Sequence, residues 1–530
     1  MVAGFGAPVG SRAFPGPAGR RNTKVQVVPA PVGGLNLVTP LVATEPSYCL
    51  VATNLVATGQ GMRVRSGHTA YAVDVHLDGI RTVIPFEGAS ESSLFAVSPN
   101  GIYDVSAGGA GPWVAEVSFP SSAEPAGWGT WTNFTADSGL HYAFYADEQN
   151  GLYRRLEGGA FAAVTDITGV SELALVFVTQ HMSRVWFVED GTANAWYLDA
   201  GSIAGAATSF NFGSKFNHGG TLLGLYSWTV DGGEGIDDHM VAIGSGGDVL
   251  VYKGTDPTSA ATWQLVGQYY VGRLPAGRRV AQMEGGDLYI LCQYGVIPLT
   301  RLLQGTLVQD AQAQLSRNIS PLIAEAMSLT ISSRGWEMRN VPGENAFLVA
   351  RPAIGGFENL QFALSSHTNG WTTFESLPYQ TGDVWDGDFY IGGSDGTVYL
   401  LGGNVDIDEA IAFGLLSSFQ EYGETGLYHR IQFMRPVFRS TGSPAYTAEA
   451  RYDYNTDPPT TSGSTPVVSG SLWDVALWDT GTWTSSGSVV QSVIGGTGIG
   501  RAMAVALAGT SDSETLFIRS DIFFDTAGPL

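Results

Sequence analysis

The stretch DFYIGGSDGTVYLLGG (residues 388–403) is the clearest copy of a unit that recurs through this sequence. An apolar run is followed by a turn of Gly, Ser and Asp, and a second apolar run carries a tyrosine, here Tyr399. Short runs of this kind separated by such turns are typical of β-hairpins, whose tight turns need the positive φ that glycine supplies. One hairpin is only marginally stable in water, so each unit must pack on others.

The unit has further copies, which together give seven between about residues 80 and 403. The other copies lie at 93–105, 141–156, 184–199, 239–254 and 287–300, with a longer variant at 346–375. Tyr103, Tyr153, Tyr197 and Tyr252 take the place of Tyr399. A period of about 40–55 residues is typical of β-propeller blades. We therefore predict an all-β chain with a propeller of six to eight blades. A series of β-sandwiches is the alternative, in which the recurring tyrosine has no explanation.

The composition changes at both ends of the repeat region. Residues 1–30 are rich in Gly, Pro, Ala and Arg and are predicted to form an extended, flexible N-terminal arm. Residues 31–80 contain strand-like runs, which we expect to close onto the propeller (81–424) or onto a platform. Residues 425–530 are predicted to form an added C-terminal β-sandwich or sheet, which includes the strand-like YHRIQFMRPVFRS (428–440).

Helix signals are few. Ser320 and Pro321 are a plausible N-cap and first helical residue, and the apolar residues that follow fall on one side of a short helix. We expect this helix to be inserted between two blades. Residues 406–413 could form a second short helix or the exit from the propeller.

Composition and charge exclude several classes of protein. Of 530 residues, 44% are hydrophobic and only 14% are charged, which is unlike a disordered chain. The net charge of −23 should repel DNA and anionic membranes on average, and no apolar run reaches the about 18 residues of a membrane helix. The N-terminus lacks the apolar stretch of a signal peptide, and two cysteines, Cys49 and Cys292, are too few for a disulfide scaffold.

Motifs for chemistry are weak. None of the three lysines follows a glycine, so a P-loop is absent, and so is an HExxH zinc motif. Gly392–Gly396 matches GxSxG, but a strand-like run follows it where a nucleophile elbow needs a helix, so we interpret it as a hairpin turn. The acidic loop at 231–239 could hold calcium through Asp231, Glu234, Asp237 and Asp238, although a solvated loop is favoured.

Two aromatic groups could contact sugars. Asp383, Asp386 and Asp388 flank Trp385, and paired carboxylates beside an aromatic ring could hydrolyse a glycoside, although acidic turn residues are expected in any hairpin. The second group, Trp473, Trp478 and Trp483, is favoured as part of a core or interface. The arginine pairs at 20–21, 154–155 and 278–279 are interpreted as salt-bridging residues at the surface or at subunit contacts.

Several segments, in their order along the chain, resemble the tail nozzle (tail-hub) proteins of podovirus-like, short-tailed phages. The first is PAPVGGLNLVTP (29–40), with its Gly-Leu-Asn step at 34–36, followed by Arg63-Val64-Arg65-Ser66-Gly67. IPLTRLLQGTLVQDAQAQLSRNISPLIAEAM (297–327) is similar to the family's short helix after the central blade. NGWTTFES (369–376) is similar to its blade-closing Gly-Trp step, and SLWDVALWDTGTW (471–483) resembles its C-terminal signature.

The resemblance implies a structural virion protein that forms a homohexameric ring at the distal end of a short tail. Such a ring lies below the tail adaptor protein, carries a tailspike, fibre or tip protein, and serves genome retention and ejection. Double-stranded DNA would pass through the lumen without specific binding. The resemblance implies no enzyme activity, no catalytic, cofactor-binding or metal-binding residues, no membrane insertion, and assembly in the host cytoplasm. The alternatives are a carbohydrate-binding or carbohydrate-hydrolysing propeller, and a tail fibre or adhesin component.

Overall fold

Five small antiparallel sheets and two four-stranded parts of a larger, fourteen-stranded sheet follow one another along the chain and close into a ring, which makes the fold a seven-bladed β-propeller. The computed structural model describes residues 23–231, 236–259, 261–310, 312–353, 359–422, 426–459 and 488–527. We name the strands of a blade a to d from the axis outward. The innermost strands pack on one another in sequence around the axis, and the last returns to the first.

The strands of each blade are as follows. Blade 1 consists of Thr82–Glu87, Ser92–Ser98, Gly101–Asp104 and Ala115–Ser118, blade 2 of Gly129–Thr135, His141–Asp147, Gly151–Leu156 and Ala162–Ala163, and blade 3 of Leu175–His181, Arg184–Glu189, Asn194–Tyr197 and Thr208–Asn211. Blade 4 consists of Leu222–Asp231, Ile236–Gly244, Asp248–Gly254 and Trp263–Tyr270, and blade 5 of Ala281–Glu284, Asp287–Cys292 and Gly295–Pro298. Blade 6 consists of Glu337–Val341, Ala346–Ala350, Leu360–Ser365 and Trp371–Glu375, and blade 7 of Thr381–Trp385, Asp388–Gly392, Val398–Leu401 and His68–Val73.

The ring is closed by a strand from the N-terminal part of the chain. His68–Val73 pairs antiparallel with Val398–Leu401 and supplies strand d of blade 7, with Ala70 opposite Tyr399. Strand a of the same blade packs on Thr82–Glu87 of blade 1. The first and last segments of the propeller therefore share one sheet, so opening the ring would break main-chain hydrogen bonds as well as apolar contacts.

The recurring tyrosines have a common position. Tyr103, Tyr153, Tyr197, Tyr252 and Tyr399 all lie on strand c, and each is only 2–7% exposed. Tyr153 of blade 2 shares an apolar cluster with Phe95 of blade 1, and Tyr252 of blade 4 shares one with Trp186 of blade 3. The repeat predicted from the sequence thus corresponds to strands b and c of the blades, except that the longer variant at 346–375 covers strands b to d of blade 6. Where the tyrosine is present, it helps to bury the faces of neighbouring blades.

Antiparallel order within a blade gives the propeller two distinct faces. The a–b turns and the c–d connections lie on one face, which we call the turn face. The b–c turns and the links from one blade to the next lie on the opposite face, which we call the link face.

The inserted helix is present, with one correction. Two α-helices, Leu299–Leu303 and Ser320–Thr330, lie in the link between blades 5 and 6. Ser320 is the first helical residue rather than the N-cap, and no side-chain hydrogen bond caps this helix. The proposed helix at 406–413 is wrong, because Glu409–Ser417 is a strand. Short 3₁₀ turns occur at Leu41–Ala43, Glu172–Ala174, Gly213–Lys215, Arg317–Ile319 and Pro342–Glu344.

The two ends of the chain form a second module, in which two sheets and helix Ser320–Thr330 share an apolar core. One sheet consists of Lys24–Pro29, Leu55–Thr58, Gly61–Val64, Tyr428–Ser440, Ser488–Gln491, Ile494–Gly495 and Thr515–Ala527. The other consists of Cys49–Thr53, Glu409–Ser417, Ala445–Tyr452 and Met503–Ser511, and it continues into blade 6 through Thr53 opposite Thr373. Further two-residue strands lie at Gly109–Ala110, Ile167–Thr168, Gly205–Ala206 and Val405–Asp406.

Candidate functional site at the propeller axis

A buried arginine closes the propeller axis at the link face. Arg279 lies in the link before blade 5, and its side chain is only 10% exposed. Its guanidinium donates to Gly129 O at 2.9 Å, to Glu337 Oε1 and Thr381 Oγ1 at 3.1 Å each, and to Arg81 O at 3.0 Å. These acceptors belong to blades 2, 6 and 7 and to the link before blade 1. One side chain therefore ties together segments that lie far apart in the sequence.

Glu337 is the anionic centre of this network, and its side chain is fully buried. Besides Arg279, it binds Arg339 Nη2 at 3.0 Å, and its Oε2 accepts hydrogen bonds from the Tyr379 hydroxyl and the Gly382 N–H at 3.1 Å each. Burial opposes the charge on Arg339, but the coulombic effect of Glu337 and Asp383 outweighs it and raises the pKa of Arg339. A buried pair of this kind needs all its hydrogen bonds to offset desolvation, and the network supplies them.

The neighbouring Arg278 extends the network to blades 3 and 4. Its guanidinium donates to Leu223 O at 2.8 Å and binds Asp190 Oδ1 at 3.0 Å. The Tyr226 hydroxyl donates to the carbonyl of Arg278 at 2.7 Å. The Arg278–Arg279 pair was expected at the surface or at a subunit contact. That expectation is wrong for this pair, because the two side chains salt-bridge within the chain, at the centre of the propeller.

A cavity of about 390 Å³ lies next to this network, between the innermost strands of blades 2 to 7. Arg278, Arg279, Arg339 and Asp383 line it together with apolar side chains such as Phe177. The Arg279 network lies on the link face, where the innermost strands of the blades begin. The cavity is thus a well whose floor is a set of ion pairs and whose other end points to the turn face.

The two faces of the propeller differ in charge. The a–b turn of every blade except the third carries acidic residues. These are Glu87 and Glu91 in blade 1, Asp137 in blade 2, Asp238 in blade 4, Glu284 and Asp287 in blade 5, Glu344 in blade 6, and Asp386 and Asp388 in blade 7. Glu91 and Glu344 pair with Arg155 and Arg63, whereas Glu87, Asp137, Asp386 and Asp388 are exposed. The link face mixes both signs, as in the pairs Arg81–Glu124 at 2.6 Å and Arg334–Glu148 at 2.9 Å.

The carboxylates around Trp385 separate in the structure. Asp383 lines the axial well, 3.4 Å from Arg339 Nε, and burial raises its pKa. Asp386 and Asp388 lie exposed at the hairpin tip on the turn face. The Trp385 indole donates to Ser92 Oγ at 2.7 Å. Asp383 is thus part of the axial site, whereas Asp386 and Asp388 belong to an ordinary hairpin turn.

The GxSxG segment is a hairpin turn, as predicted. Gly392 ends one strand, and the strand Val398–Leu401 follows. Gly393 N–H donates to Thr397 O at 2.8 Å, and Asp395 Oδ1 accepts from the Thr397 N–H at 3.2 Å.

Several other candidates lie partly or wholly outside the described residues. These are Glu234 of the acidic loop, Trp473, Trp478, Trp483 and the pair Arg20–Arg21. Among residues that the structure does describe, no three His, Cys, Asp or Glu side chains gather as a metal site would require. The pair at 154–155 makes salt bridges within the chain, to Asp166 at 2.8 Å and to Glu91 at 2.5 Å.

Three segments that carry the family resemblance meet in space, and we call their junction the seam. Gly34 has φ of +73°, and a Cβ there would lie 2.5 Å from Trp371 O, so only glycine fits. The Leu35 N–H donates to Trp371 O at 2.7 Å, and the Trp371 indole donates to Leu315 O at 3.2 Å. Segments 29–40, 297–327 and 369–376 are thus joined by direct hydrogen bonds.

The Arg-x-Arg step lies beside the last blade. Arg65 is 2% exposed and binds both carboxylate oxygens of Asp406, at 2.9 and 2.7 Å, while its Nε donates to Asn54 Oδ1. His68 Nδ1 lies 3.0 Å from Asp406 Oδ1. Asp406 therefore anchors both Arg65 and the start of the ring-closing strand.

Comparisons with known proteins add little. No family model matches the chain, and no curated protein matches it. Among solved structures, BBS1N in complex with ARL6DN aligns at 14% identity and a TM-score of 0.27, over 45% of this chain and 73% of that one. The exo-β-1,3-galactanase of Phanerochaete chrysosporium aligns at 8% identity and a TM-score of 0.22, over 74% of this chain and 98% of that one.

A third solved structure, an exported protein of Bacteroides fragilis, aligns at 8% identity and a TM-score of 0.27, over 51% and 94% of the two chains. Scores this low carry no argument, so the fold assignment rests on the strand pairing. Within the described ranges, no helix combines the length and apolar character that crossing a bilayer requires.

Proposed function

We propose that this chain is a structural protein of a short phage tail and forms the distal nozzle of that tail as a homohexameric ring. In this role the ring continues the DNA channel, sits below the tail adaptor protein, and carries a tailspike, fibre or tip protein. Its place is the virion, after assembly in the host cytoplasm. The order of the segments that resemble tail nozzle proteins is the starting point of the proposal.

The acidic turn face is the observation that carries the proposal. A conduit must let double-stranded DNA slide, and each cation that held a phosphate would slow its exit. The exposed Glu87, Asp137, Asp386 and Asp388 would instead repel the backbone if this face bordered the lumen. A net charge of −23 per chain has the same effect at longer range.

The filled axis indicates where such a channel would run. Arg279 and Glu337 occupy the axis of the single propeller, so DNA has no path through one chain. A DNA channel would have to lie between copies, as a ring with cyclic symmetry provides. The seam, built from the segments that carry the resemblance, would hold the propeller and the second module in one fixed orientation within each copy.

Imaging of intact particles by cryo-electron microscopy tests the proposal. We expect a six-fold ring of propellers at the distal end of the tail, into which this structure fits with its turn face toward the lumen. Particles that lack the chain, or that place it in a fibre or another trimeric appendage, would contradict the proposal. The mass of the purified chain at high concentration is a supporting measurement, since ring assembly can depend on the rest of the tail.

A further inference from the structure

We propose that the axial well binds a small, neutral, polyhydroxylated molecule, such as a monosaccharide or a cyclic polyol. The well is about 390 Å³ in volume, within the range of about 300–1,000 Å³ that is usual for small-molecule sites. It lies inside one chain, so this inference is independent of the proposed ring.

The first argument is charge, because all three guanidinium groups of the well already bind acceptors of the protein, Arg278 through Leu222 O, Leu223 O and Asp190. Arg279 gives its N–H groups to Gly129, Glu337 and Thr381, among others. Arg339 donates to Gly382 O at 3.0 Å and to Gln282 Oε1 at 3.0 Å, and it binds Glu337. An anionic ligand would therefore have to break these bonds.

The carboxylates are also balanced. Glu337 is shared between two arginines, and Asp383 faces Arg339. Arg278 is paired in turn with Asp190 Oδ1 at 3.0 Å, so three cations meet three anions and the well offers no net attraction to a cation either. A neutral ligand is the class that this balance favours.

The second argument is the kind of polar group that remains. Thr130, Thr179 and Ser227 line the walls, on strands of three different blades. Thr130 Oγ1 accepts from the Val178 N–H at 3.0 Å and keeps its own proton to donate, whereas Ser227 Oγ is paired with His181 Nδ1 at 2.9 Å. A hydroxyl both donates and accepts, which matches the hydroxyls of a sugar or polyol. Asp383 Oδ2 lies 3.4 Å from Arg339 Nε, which leaves it free to accept a hydrogen bond from a ligand.

The apolar part of the wall completes the match. Trp131, Leu225 and Met283 line the well between the polar groups. Sugar and polyol rings have C–H surfaces as well as hydroxyls, so they suit a wall in which the two kinds of group alternate. The polar groups of a purely polar solute would face these apolar side chains and would find no hydrogen-bond partners there.

Saturation-transfer NMR on the intact chain tests this inference directly. The probes are glucose, galactose and myo-inositol at millimolar concentration, with glucuronate and glucosamine as charged counterparts. We expect saturation transfer from the protein to the neutral probes and little transfer to the charged ones. Transfer to sugars alone would identify a saccharide site and equal transfer to inositol a general polyol site, and both results support the inference.

Two variants locate the signal. Met283→Trp should fill the well and abolish transfer, and Thr179→Val, which removes one wall hydroxyl while keeping the side-chain shape, should weaken binding about tenfold. The matched control is Thr69→Val, the same change on the exposed rim strand of blade 7, which should leave transfer unchanged. No transfer to any neutral probe, transfer only to charged probes, or transfer that survives Met283→Trp would overturn the inference.

Discussion

Arg279 Nη1 and Glu337 Oε1 lie 3.1 Å apart at the axis of the propeller, where the two side chains are only 10% and 0% exposed. This ion pair joins the link before blade 5 to the innermost strand of blade 6, and the same arginine reaches blades 2 and 7. The pair fills the place where a propeller is otherwise hollow. The pair therefore holds several blades together and also forms the floor of the axial well.

Breaking this pair should be costly. We expect Glu337→Gln to lower the free energy of unfolding by about 3–5 kcal/mol, because Arg279 and Arg339 would lose their buried counter-charge. Urea unfolding followed by fluorescence measures the change. The control is Asp199→Asn, since Asp199 is 90% exposed and 3.7 Å from Arg184, and this change should cost less than about 1 kcal/mol. Equal effects of the two substitutions would contradict the assigned role of the axial pair.

The turn of the closing blade should tolerate only glycine at Gly396. Its φ is +85°, and a Cβ there would lie 1.7 Å from His76 O in the link to blade 1. Gly396→Ala should therefore destabilise the fold by about 3 kcal/mol or more. Gly387→Ala is the matched control, with φ of +86° but open space around it, and it should cost only about 1–2 kcal/mol. Thermal unfolding of the two variants compares them, and similar melting temperatures would be inconsistent with this contact.

Stability should fall in mild acid because of His181. Burial lowers the pKa of His181 to about 4, against about 6.5 for the unfolded chain. Between these values the unfolded chain binds a proton that the folded chain does not. Stability is therefore lost as the pH falls from about 6.5 toward 4, by about 3 kcal/mol for the full shift. The expected loss appears as a decrease in the urea midpoint.

The variant His181→Gln tests the source of this pH dependence. It retains a polar group for Ser227 Oγ, which lies 2.9 Å from His181 Nδ1. We expect it to flatten the dependence between pH 6.5 and 4. His367→Gln, on an exposed turn, should keep the slope of the parent chain. An unchanged slope in His181→Gln would assign the effect to other groups.

Both thiols should be unreactive in the native protein. Cys49 and Cys292 are each 0% exposed, and burial raises the pKa of Cys292 to about 12 and that of Cys49 still further. Since the thiolate is the reactive form, a disulfide reagent at pH 8 should label neither cysteine in buffer and both in denaturant. Fast labelling of the folded protein would show that the apolar cores around Cys49 and Cys292 open readily.

Reversing charge on the turn face should create an affinity for DNA. We expect the chain itself not to retard double-stranded DNA at low salt, and the triple variant Asp137→Lys, Asp386→Lys and Asp388→Lys to retard it in a salt-sensitive way. The matched control reverses Asp78, Asp310 and Glu325, three exposed acidic residues in the links between blades on the opposite face. Equal retardation by both variants would mean that the turn face has no special role.

Much of the fold was predictable because its signal is local. In every unit but the longer one at 346–375, the two apolar runs and their turn lie within about sixteen residues of sequence, and the hairpin they specify is strands b and c of one blade. The short helix was predictable for the same reason, although its first residue was displaced by one position. The C-terminal strand at 428–440 follows the alternation of its apolar residues.

The candidate site could not be predicted in this way. Arg279 and Glu337 are separated by 58 residues, and Arg279 and Gly129 by 150. In the sequence Glu337 is an isolated acid at the start of an ordinary strand, and the arginine pair looks like a surface feature. The row of acidic a–b turns was also hidden, because these residues lie far apart in the sequence and come to one face only when antiparallel strands bring the turns together.

The amino-acid sequence by itself determined the building unit, a twisted hairpin with one apolar face, because turn geometry and side-chain alternation depend on neighbouring residues. The tertiary structure alone decided how many units close the ring, that His68–Val73 completes the last blade, and that four charged side chains meet at the axis. Those outcomes depend on contacts between residues far apart in the chain, which form only when blades pack face to face and exclude water from between them.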